Sequence, residues 1–312
     1  MSDQLPIIIL GGSDQQASTV PQQLSSTDML TGFKGAAPLP WGRTLAGELI
    51  HRIRLTGRFA DPLLIGPRSA YQDQVDAEVV NAEGSLVVTI RTAMQVIAKR
   101  FDPAQPVAIM ACDILPSSDD LQEVLENDYL PHRQCMFWWQ MVRATPAQLA
   151  ASHWKPAYAI RPSAAAAPVS LYPGHLVILR PQSLRVGLAS SLLELAYRYR
   201  NRDIRRRYIP LVLRSLSRLL AEDVRNLFRL QLPILTISLP CRGLWGYYLL
   251  RREKLTIAQF ENNLARLMLH RQYHHAADGR PVVVSISRVL SLAKDIDTHG
   301  ELAEAITAGP AP

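Results

Sequence analysis

Short apolar segments recur along this chain, and several of them are continuous rather than alternating in polarity. Continuous apolar runs of strand length are typical of strands that are buried on both faces of a sheet. Stretches with helical periodicity separate the early runs, and this β-α-β-α-β-α order predicts an α/β protein with a mostly parallel mixed sheet between two layers of helices. The predicted strands are residues 6–10, 62–65, 75–80, 106–111, 136–140, 176–179 and 281–286, and the predicted helices are residues 45–56, 87–99 and 119–126.

The second half of the chain departs from this alternation. Residues 162–168 contain four consecutive alanines and predict a loop or a small linker. Residues 183–231 are helical in pattern and rich in arginine and leucine, and residues 257–270 predict a further helix. We therefore expect three segments, which are an α/β core of residues 1–181, a helical arginine-rich elaboration of residues 182–275, and a C-terminal part of residues 276–312 that completes the core.

The composition, and above all the net charge, indicates which classes of binding partner the protein favours. The chain has 312 residues, 48% of them hydrophobic, which suits one large α/β domain or two smaller ones. Its 34 lysines and arginines exceed its 27 aspartates and glutamates, so the net charge is +7. This excess favours phosphates, nucleic acid or a lipid surface without choosing among them.

The number of cysteines and the lengths of the apolar runs indicate the cellular compartment of the protein. The 3 cysteines are far apart and odd in number, which favours neither a disulfide framework nor a cysteine-based zinc site. The N-terminal apolar run is only a strand long, and the apolar stretch 230–250 is interrupted by Pro233, Pro240 and Arg242. We therefore expect neither a signal peptide nor a bilayer-spanning helix, and we expect a cytoplasmic protein.

A glycine pair, Gly11-Gly12, directly follows the first predicted strand. Glycine lets the backbone approach a phosphate closely while its N–H groups point at the anion. The segment matches neither the G-x-G-x-x-G fingerprint nor a Walker P-loop, which disfavours a Rossmann dehydrogenase and a P-loop kinase. An ordinary tight turn is the alternative interpretation.

Two acidic segments supply candidate metal ligands. Asp113 follows the predicted strand 106–111, at the edge of an open α/β sheet where ligands bind. Near the C-terminus, Asp295 and Asp297 flank Ile296. Mg²⁺ prefers carboxylate and phosphate oxygens, so Asp113 and Asp297 are the candidate ligands, with Asp295 in support. Aspartates at strand ends also act as helix caps and turn formers, which is the competing interpretation.

Three segments in order resemble the nucleotidyltransferase superfamily with the glycosyltransferase-A-type fold, which includes cytidylyl-, guanylyl- and sugar nucleotidyltransferases. The segment Phe33-Lys34-Gly35-Ala36-Ala37-Pro38-Leu39-Pro40 is similar to the second half of the family's opening signature, with Lys34 at the signature lysine. Cys112-Asp113-Ile114-Leu115-Pro116 resembles the strand end that carries the family's metal aspartate. Asp295-Ile296-Asp297-Thr298 resembles the C-terminal pattern in which Ile-Asp-Thr precedes a helix.

The resemblance implies a reaction and a set of site residues. It implies Mg²⁺-dependent transfer of a nucleoside monophosphate from a triphosphate to a phosphorylated small-molecule acceptor, with release of pyrophosphate. Lys34 and Asp113 would be catalytic, and Asp113 and Asp297 would hold the metal. The nucleotide would contact Leu10, Gly11, Gly12, Ser13, Lys34, Glu83, Gly84 and Thr89, and the acceptor would contact Gly174, His175 and Arg205. The alternative for residues 83–93 is an ordinary solvated helix end. The alternative for residues 172–175 is a turn whose histidine is hydrogen-bonded within the protein.

One departure from the family pattern keeps other functions open. The family's loop normally carries an arginine that meets the nucleotide phosphates, whereas this chain has Asp14, Gln15 and Gln16 there. The first alternative is therefore a catalytically impaired relative that binds nucleotide or an anionic partner. A weaker one is an enzyme at a membrane surface, suggested by the 6 arginines within 198–207 beside the leucines of 211–230. A solvated helix face also explains such arginines, and nucleic acid is not favoured.

Two histidines, His270 and His274, have the i, i+4 spacing of a helical zinc pair. No H-E-x-x-H glutamate or third ligand accompanies them, so a surface pair is the preferred interpretation.

Overall fold

A computed structural model describes residues 4–12, 24–84, 86–152, 155, 157–189, 216–217, 219–221, 223–224, 227–228, 235–274, 280–307 and 309. The strands are β1 (Ile7–Leu10), β2 (Leu63–Gly66), β3 (Glu78–Asn81), β4 (Val107–Ala111), β5 (Phe137–Arg143), β6 (Tyr158–Ile160), β7 (Val169–Leu179) and β8 (Val282–Ser287). The α-helices with defined bounds are α1 (Leu45–Leu55), α2 (Arg68–Tyr71), α3 (Leu86–Arg100), α4 (Ser118–Glu123), α5 (Pro146–Leu149), α6 (Leu235–Arg251), α7 (Ile257–Met268) and α8 (His299–Thr307).

The strands form one mixed sheet in the order β3-β2-β1-β4-β7-β5-β8, with β6 paired to β7. Strands β3, β2, β1 and β4 are parallel to one another, whereas β7 is antiparallel to both β4 and β5. The predicted α/β class with a mostly parallel mixed sheet is confirmed.

The central strand β1 is covered on both faces. Successive side chains of a strand point to opposite faces, and Ile7, Ile8 and Ile9 are all buried. Ile7 and Ile9 share one core cluster with Leu49 and Ile53 of α1. The continuous apolar run at residues 6–10 therefore has the two-sided burial that its pattern predicted.

The chain divides into two compact units. The first comprises residues 1–158, 170–182 and 283–312, and the second comprises residues 159–169 and 183–282. The first contains most of the sheet, and the second contains α6 and α7. The three-segment division drawn from the sequence stays a prediction.

Several predicted boundaries are wrong. Strand β7 begins at Val169, so residues 172–175 lie within this strand and do not form a turn before it. The third predicted helix is α4 followed by a π-helical stretch, Val124–Tyr129. Helix α7 ends at Met268, so His270 and His274 do not lie on one helix. Strand β6 was not predicted because it is only 3 residues long. Most of the predicted helical stretch 183–231 lies outside the described residues.

Candidate metal and phosphate site

The glycine pair and Asp113 follow adjacent strands. Leu10, the last residue of β1, is opposite Ala111, the last residue of β4, and the N–H of Cys112 donates to the carbonyl of Leu10 at 3.1 Å. Because the two strands are parallel, their carboxyl ends meet at the same edge of the sheet. The two segments that follow these strands, Gly11-Gly12 and Cys112-Asp113, are therefore neighbours at that edge of the sheet.

The acidic segment near the C-terminus joins this edge through backbone contacts. Ile296 donates its N–H to the carbonyl of Asp113 at 2.7 Å, and Ile114 and Asp295 form an antiparallel bridge. Ile296 is buried, whereas Asp295 and Asp297 on either side of it are only partly buried. This pairing brings Asp295 and Asp297 to Asp113 across more than 180 residues of sequence.

The three aspartates form a carboxylate cluster. One oxygen from each of Asp113, Asp295 and Asp297 lies within 4.8 Å of the others, and all three residues are partly buried. Oδ1 of Asp113 is buried and has no hydrogen-bond partner within the described part of the chain. An unsatisfied buried carboxylate oxygen is costly unless a cation or a water completes it. The donor set, which consists only of carboxylate oxygens, fits a hard divalent cation such as Mg²⁺.

Lys34 faces this cluster from the turn Lys34–Ala36, where its ammonium pairs with Oδ1 of Asp297. Burial tends to lower the pKa of Lys34, but the Asp297 and Asp113 carboxylates outweigh it and the net shift is upward, so Lys34 is charged. Burial, together with the neighbouring Asp295 charge, raises the pKa of Asp297 to about 6 despite the contact with Lys34. The site thus combines a fixed cation with a carboxylate that titrates close to neutrality.

A second cation, Lys155, supports the cluster from the other side. Its ammonium contacts both the side chain and the backbone carbonyl of Asp295, and it lies 3.1 Å from Oε1 of Glu301. Nε2 of His175 is 3.5 Å from Oδ1 of Asp295. Burial would raise the pKa of Asp295, but His175 and Lys155 hold it well below its usual value. Asp295 is therefore ionised, and it holds two cationic groups beside the cluster.

Glu301 fixes the backbone of the C-terminal segment. Its Oε2 accepts hydrogen bonds from the N–H groups of Asp297 at 2.7 Å and Thr298 at 2.9 Å. The N–H of Glu301 donates to Oγ1 of Thr298, which completes a reciprocal capping box at the start of α8. Oε1 of the same carboxylate accepts a hydrogen bond from Ser152. The position of Asp297 is thus set by a helix cap.

Close packing explains the glycines of the turn. A Cβ added at Gly12 would lie 2.2 Å from Oγ1 of Thr89, and one at Gly11 would lie 2.9 Å from the ring of Tyr71. Both partners are fully buried. Burial also raises the pKa of the neighbouring Cys112 to about 12, so this thiol is not a nucleophile at neutral pH.

The structure brings together most, but not all, of the residues singled out from sequence. Leu10, Gly11, Gly12, Lys34, Asp113 and Asp297 lie at the sheet edge, and His175 reaches the cluster through Asp295. Glu83 and Gly84 precede α3, while Thr89 is buried beneath Gly12 and serves packing. Gly174 is also a packing position, because an added Cβ would lie 2.8 Å from the carbonyl of Gln140. Ser13, Arg205 and the 198–207 arginines lie outside the described residues.

Sequence reasoning missed Lys155 and underrated Asp295 and Glu301. Lys155 has no periodic or motif signal around it, and its partner is 140 residues away. Glu301 did have a signal, because Thr298-x-x-Glu301 is the sequence pattern of a capping box. Arg43, the first arginine after the glycine pair, is paired with the buried Glu48 at 3.0 Å.

Comparison with solved structures identifies the fold. A hypothetical transferase from Thermus thermophilus matches with a TM-score of 0.54 and 15% identity, over 96% of this chain and 99% of that one. This chain has the fold of that transferase. The identity is low enough that the similarity shows the fold alone, and with it the α/β architecture that the family resemblance implied.

Partial similarities extend to two cytidylyl enzymes. A CMP:2-keto-3-deoxy-manno-octonic acid synthetase complexed with CTP matches at 11% identity over 62% of this chain and 84% of its own, with a TM-score of 0.36. A 2-C-methyl-D-erythritol 4-phosphate cytidylyltransferase from Francisella tularensis matches at 12% identity over 63% and 79%, also with a TM-score of 0.36. No protein-family model and no curated protein matches the sequence.

Proposed function

We propose that this chain is a metal-dependent nucleotidyltransferase, which transfers a nucleoside monophosphate from a nucleoside triphosphate to a phosphorylated small molecule and releases pyrophosphate. The observation that carries the proposal is the cluster of Asp113, Asp295 and Asp297 beside Lys34 and the Gly11-Gly12 turn. The buried, unpartnered Oδ1 of Asp113 supports a cation there, because a simple turn former would have satisfied it.

In the proposed reaction, an acceptor phosphate oxygen attacks the α-phosphorus of the triphosphate. The new P–O bond forms as the bond from the α-phosphorus to the bridging oxygen breaks, and that oxygen leaves with pyrophosphate. Such a transfer needs alignment and charge neutralisation more than covalent help. Lys34 would neutralise phosphate charge, because its ammonium remains protonated across the physiological range.

Mg²⁺, held by Asp113 and Asp297, would add further charge neutralisation on the phosphates when bound. The backbone at Gly11 and Gly12 would approach the triphosphate, since both positions lack a side chain at the sheet edge. Asp295 is already engaged by Lys155 and His175, so its role would be to hold these two cations beside the metal ligands. The partly exposed His175 would face the acceptor, and Arg205 is a candidate for the same substrate.

The test is pyrophosphate release from a panel of nucleoside triphosphates mixed with sugar phosphates and other phosphorylated metabolites in the presence of Mg²⁺. We expect turnover with at least one pair, and a loss of about a hundredfold or more in Asp113→Asn. Asp119→Asn is the matched control, because Asp119 is an exposed carboxylate only six residues away. Equal turnover in Asp113→Asn and the wild type would reject the assignment.

A second candidate is a protein that binds nucleotide without turnover. It is favoured by the first 33 residues, which contain no lysine or arginine, and by Lys34, which is already paired with Asp297. Saturable triphosphate binding with no pyrophosphate release from any pair in the panel would support this candidate. Turnover that depends on Asp113 would exclude it.

A further inference from the structure

Helix α6 (Leu235–Arg251) exposes an apolar face. Ile237 is 74% exposed, Leu244 51%, Trp245 58% and Tyr248 48%. Their spacing of i, i+7, i+8 and i+11 places all four on one side of an α-helix. The rings of Trp245 and Tyr248 stack with centroids 5.4 Å apart. A contiguous exposed patch of large apolar side chains marks an interaction surface rather than a solvated helix.

A second apolar stripe lies in the same unit. Leu220, Val224, Leu227 and Phe228 are all exposed, again at helical spacing, and the residues described around them are helical. Asp223 joins this segment to α6, because its carboxylate accepts hydrogen bonds from the N–H groups of Leu235 and Thr236. These bonds connect the two segments, and we call the described residues of both stripes, together with Arg251 and Arg252 at the end of α6, the 219–252 surface.

Positive charge is concentrated in the sequence around this surface. Residues 183–252 contain 14 arginines, no lysine and 4 acidic residues, whereas the rest of the chain has 20 basic and 23 acidic residues. The excess positive charge of the protein thus comes entirely from this segment. At the end of α6, Arg251 and Arg252 are exposed, and their guanidinium carbons lie 5.9 Å and 5.6 Å from the ring centroids of Tyr247 and Tyr248.

We propose that the 219–252 surface binds an anionic lipid bilayer, with its apolar side chains inserted at the headgroup level and its arginines on lipid phosphates. Tryptophan and tyrosine favour this depth because their rings are apolar while their N–H and O–H groups remain hydrated. Arginine pairs with phosphate through a planar fork of donors. Exposed apolar side chains beside arginines allow insertion at the headgroup level and pairing with anionic lipid phosphates at the same place.

Two observations favour the surface of an anionic bilayer over a second copy of the chain or a bilayer-spanning position. A second copy of the chain would bring an equally basic segment to the contact, and the two would repel. Within the described residues, no helix is long and apolar enough to cross a bilayer. Helix α6 has 17 residues and includes Arg242 and Arg251, so it suits a position along the membrane surface rather than through it.

The experiment is co-sedimentation of the full-length protein with vesicles of phosphatidylcholine alone and with about a third phosphatidylglycerol. We expect binding only to the anionic vesicles, and we expect its loss when salt is raised to about 0.5 M, because screening weakens the arginine contacts. The fluorescence of Trp245 should shift to shorter wavelength on binding, and Trp245→Phe should remove that component.

The decisive variant is Leu244→Asp with Trp245→Asp, two exposed positions at which charge does not disturb a core. We expect at least about tenfold weaker binding to anionic vesicles, since the inserted side chains are lost. Leu130→Asp is the control, because Leu130 is 47% exposed in the other unit. Circular dichroism and pyrophosphate release should remain those of the wild type in both.

Three results would overturn the proposal. They are no binding to anionic vesicles, equal binding to neutral and anionic vesicles, and undiminished binding of the double variant. Concentration-dependent dimerisation that the double variant abolishes, without vesicle binding, would assign the surface to self-association. Salt-sensitive capture of an acidic protein in place of vesicles would assign it to a protein partner.

Discussion

Lys155 is shared by two acidic side chains, Asp295 and Glu301, which are partly or fully removed from solvent. Its ammonium contacts Asp295 and lies 3.1 Å from Glu301, and its side chain is only 9% exposed. Burial acts to lower its pKa, but the two carboxylates raise it on balance, so the group stays charged. Removing one partner of a buried pair leaves the other charges uncompensated, which costs far more than the pair itself contributes.

We therefore expect Lys155→Met to lower the free energy of unfolding by about 3 kcal/mol. Lys254→Met, at an exposed position, should change it by less than about 0.5 kcal/mol. Denaturant unfolding of both variants measures the difference. Equal stabilities would show that Lys155 is not held in the buried network.

Asp297 gives the site a pH dependence. Burial and the Asp295 charge raise its pKa to about 6, so the metal-free site takes up a proton as the pH falls through that value. A metal must displace this proton, and the apparent affinity for Mn²⁺ should fall by up to about tenfold per pH unit below 6. Above about pH 7 it should be level, because Asp297 is already ionised.

Calorimetric titration of Mn²⁺ between roughly pH 5 and 8 checks this expectation, and proton release on binding can be read from its dependence on the buffer. An affinity that is constant across the range would mean that Asp297 is not a ligand. Asp28→Asn is a suitable control, because Asp28 caps an exposed turn and should leave the profile unchanged.

At the scale of single elements, helix α3 packs against the turn after β1 and restricts the size of the side chain at position 12. Thr89 of α3 lies where a side chain at position 12 would project. We expect Gly12→Ala to destabilise the protein by about 1–3 kcal/mol and to displace the loop that would carry phosphate. Gly187→Ala is the matched control, because an added Cβ there meets no neighbour.

Thermal unfolding and nucleotide affinity measure both consequences of this packing. Combining Gly12→Ala with Thr89→Ala removes the oxygen that the new methyl group meets, so the double variant should regain part of the loss. If the single variant is as stable as the wild type, the turn does not pack on α3 as described.

The strands show which elements could be predicted from sequence patterns and which could not. Strands β1, β2 and β4 were predictable because two-sided burial demands continuous apolar residues. The start of β7 was not, because Pro173 and Gly174 are turn formers whose local preference is overridden by pairing with β5. Strand β6 is too short for any periodicity to be seen.

At the scale of the whole molecule, the site depends on contacts that no local pattern encodes. Asp113 and Asp297 could be proposed from the sequence, since each follows a recognisable motif. The support from Lys155 and His175 could not, because their partner Asp295 is 140 and 120 residues away. Backbone contacts of Asp295 and Ile296 with the segment that follows β4 bring these groups to Asp113. A similar full-length fold at 15% identity shows that such an arrangement of elements tolerates extensive change in sequence.

The most direct test of the account is a Mn²⁺ titration followed by electron paramagnetic resonance, with and without a nucleoside triphosphate, on the wild type, Asp113→Asn and Asp119→Asn. We predict one cation site that binds Mn²⁺ more tightly when the triphosphate is present, persists in Asp119→Asn and is lost in Asp113→Asn. Equal Mn²⁺ binding by the wild type and Asp113→Asn would contradict it.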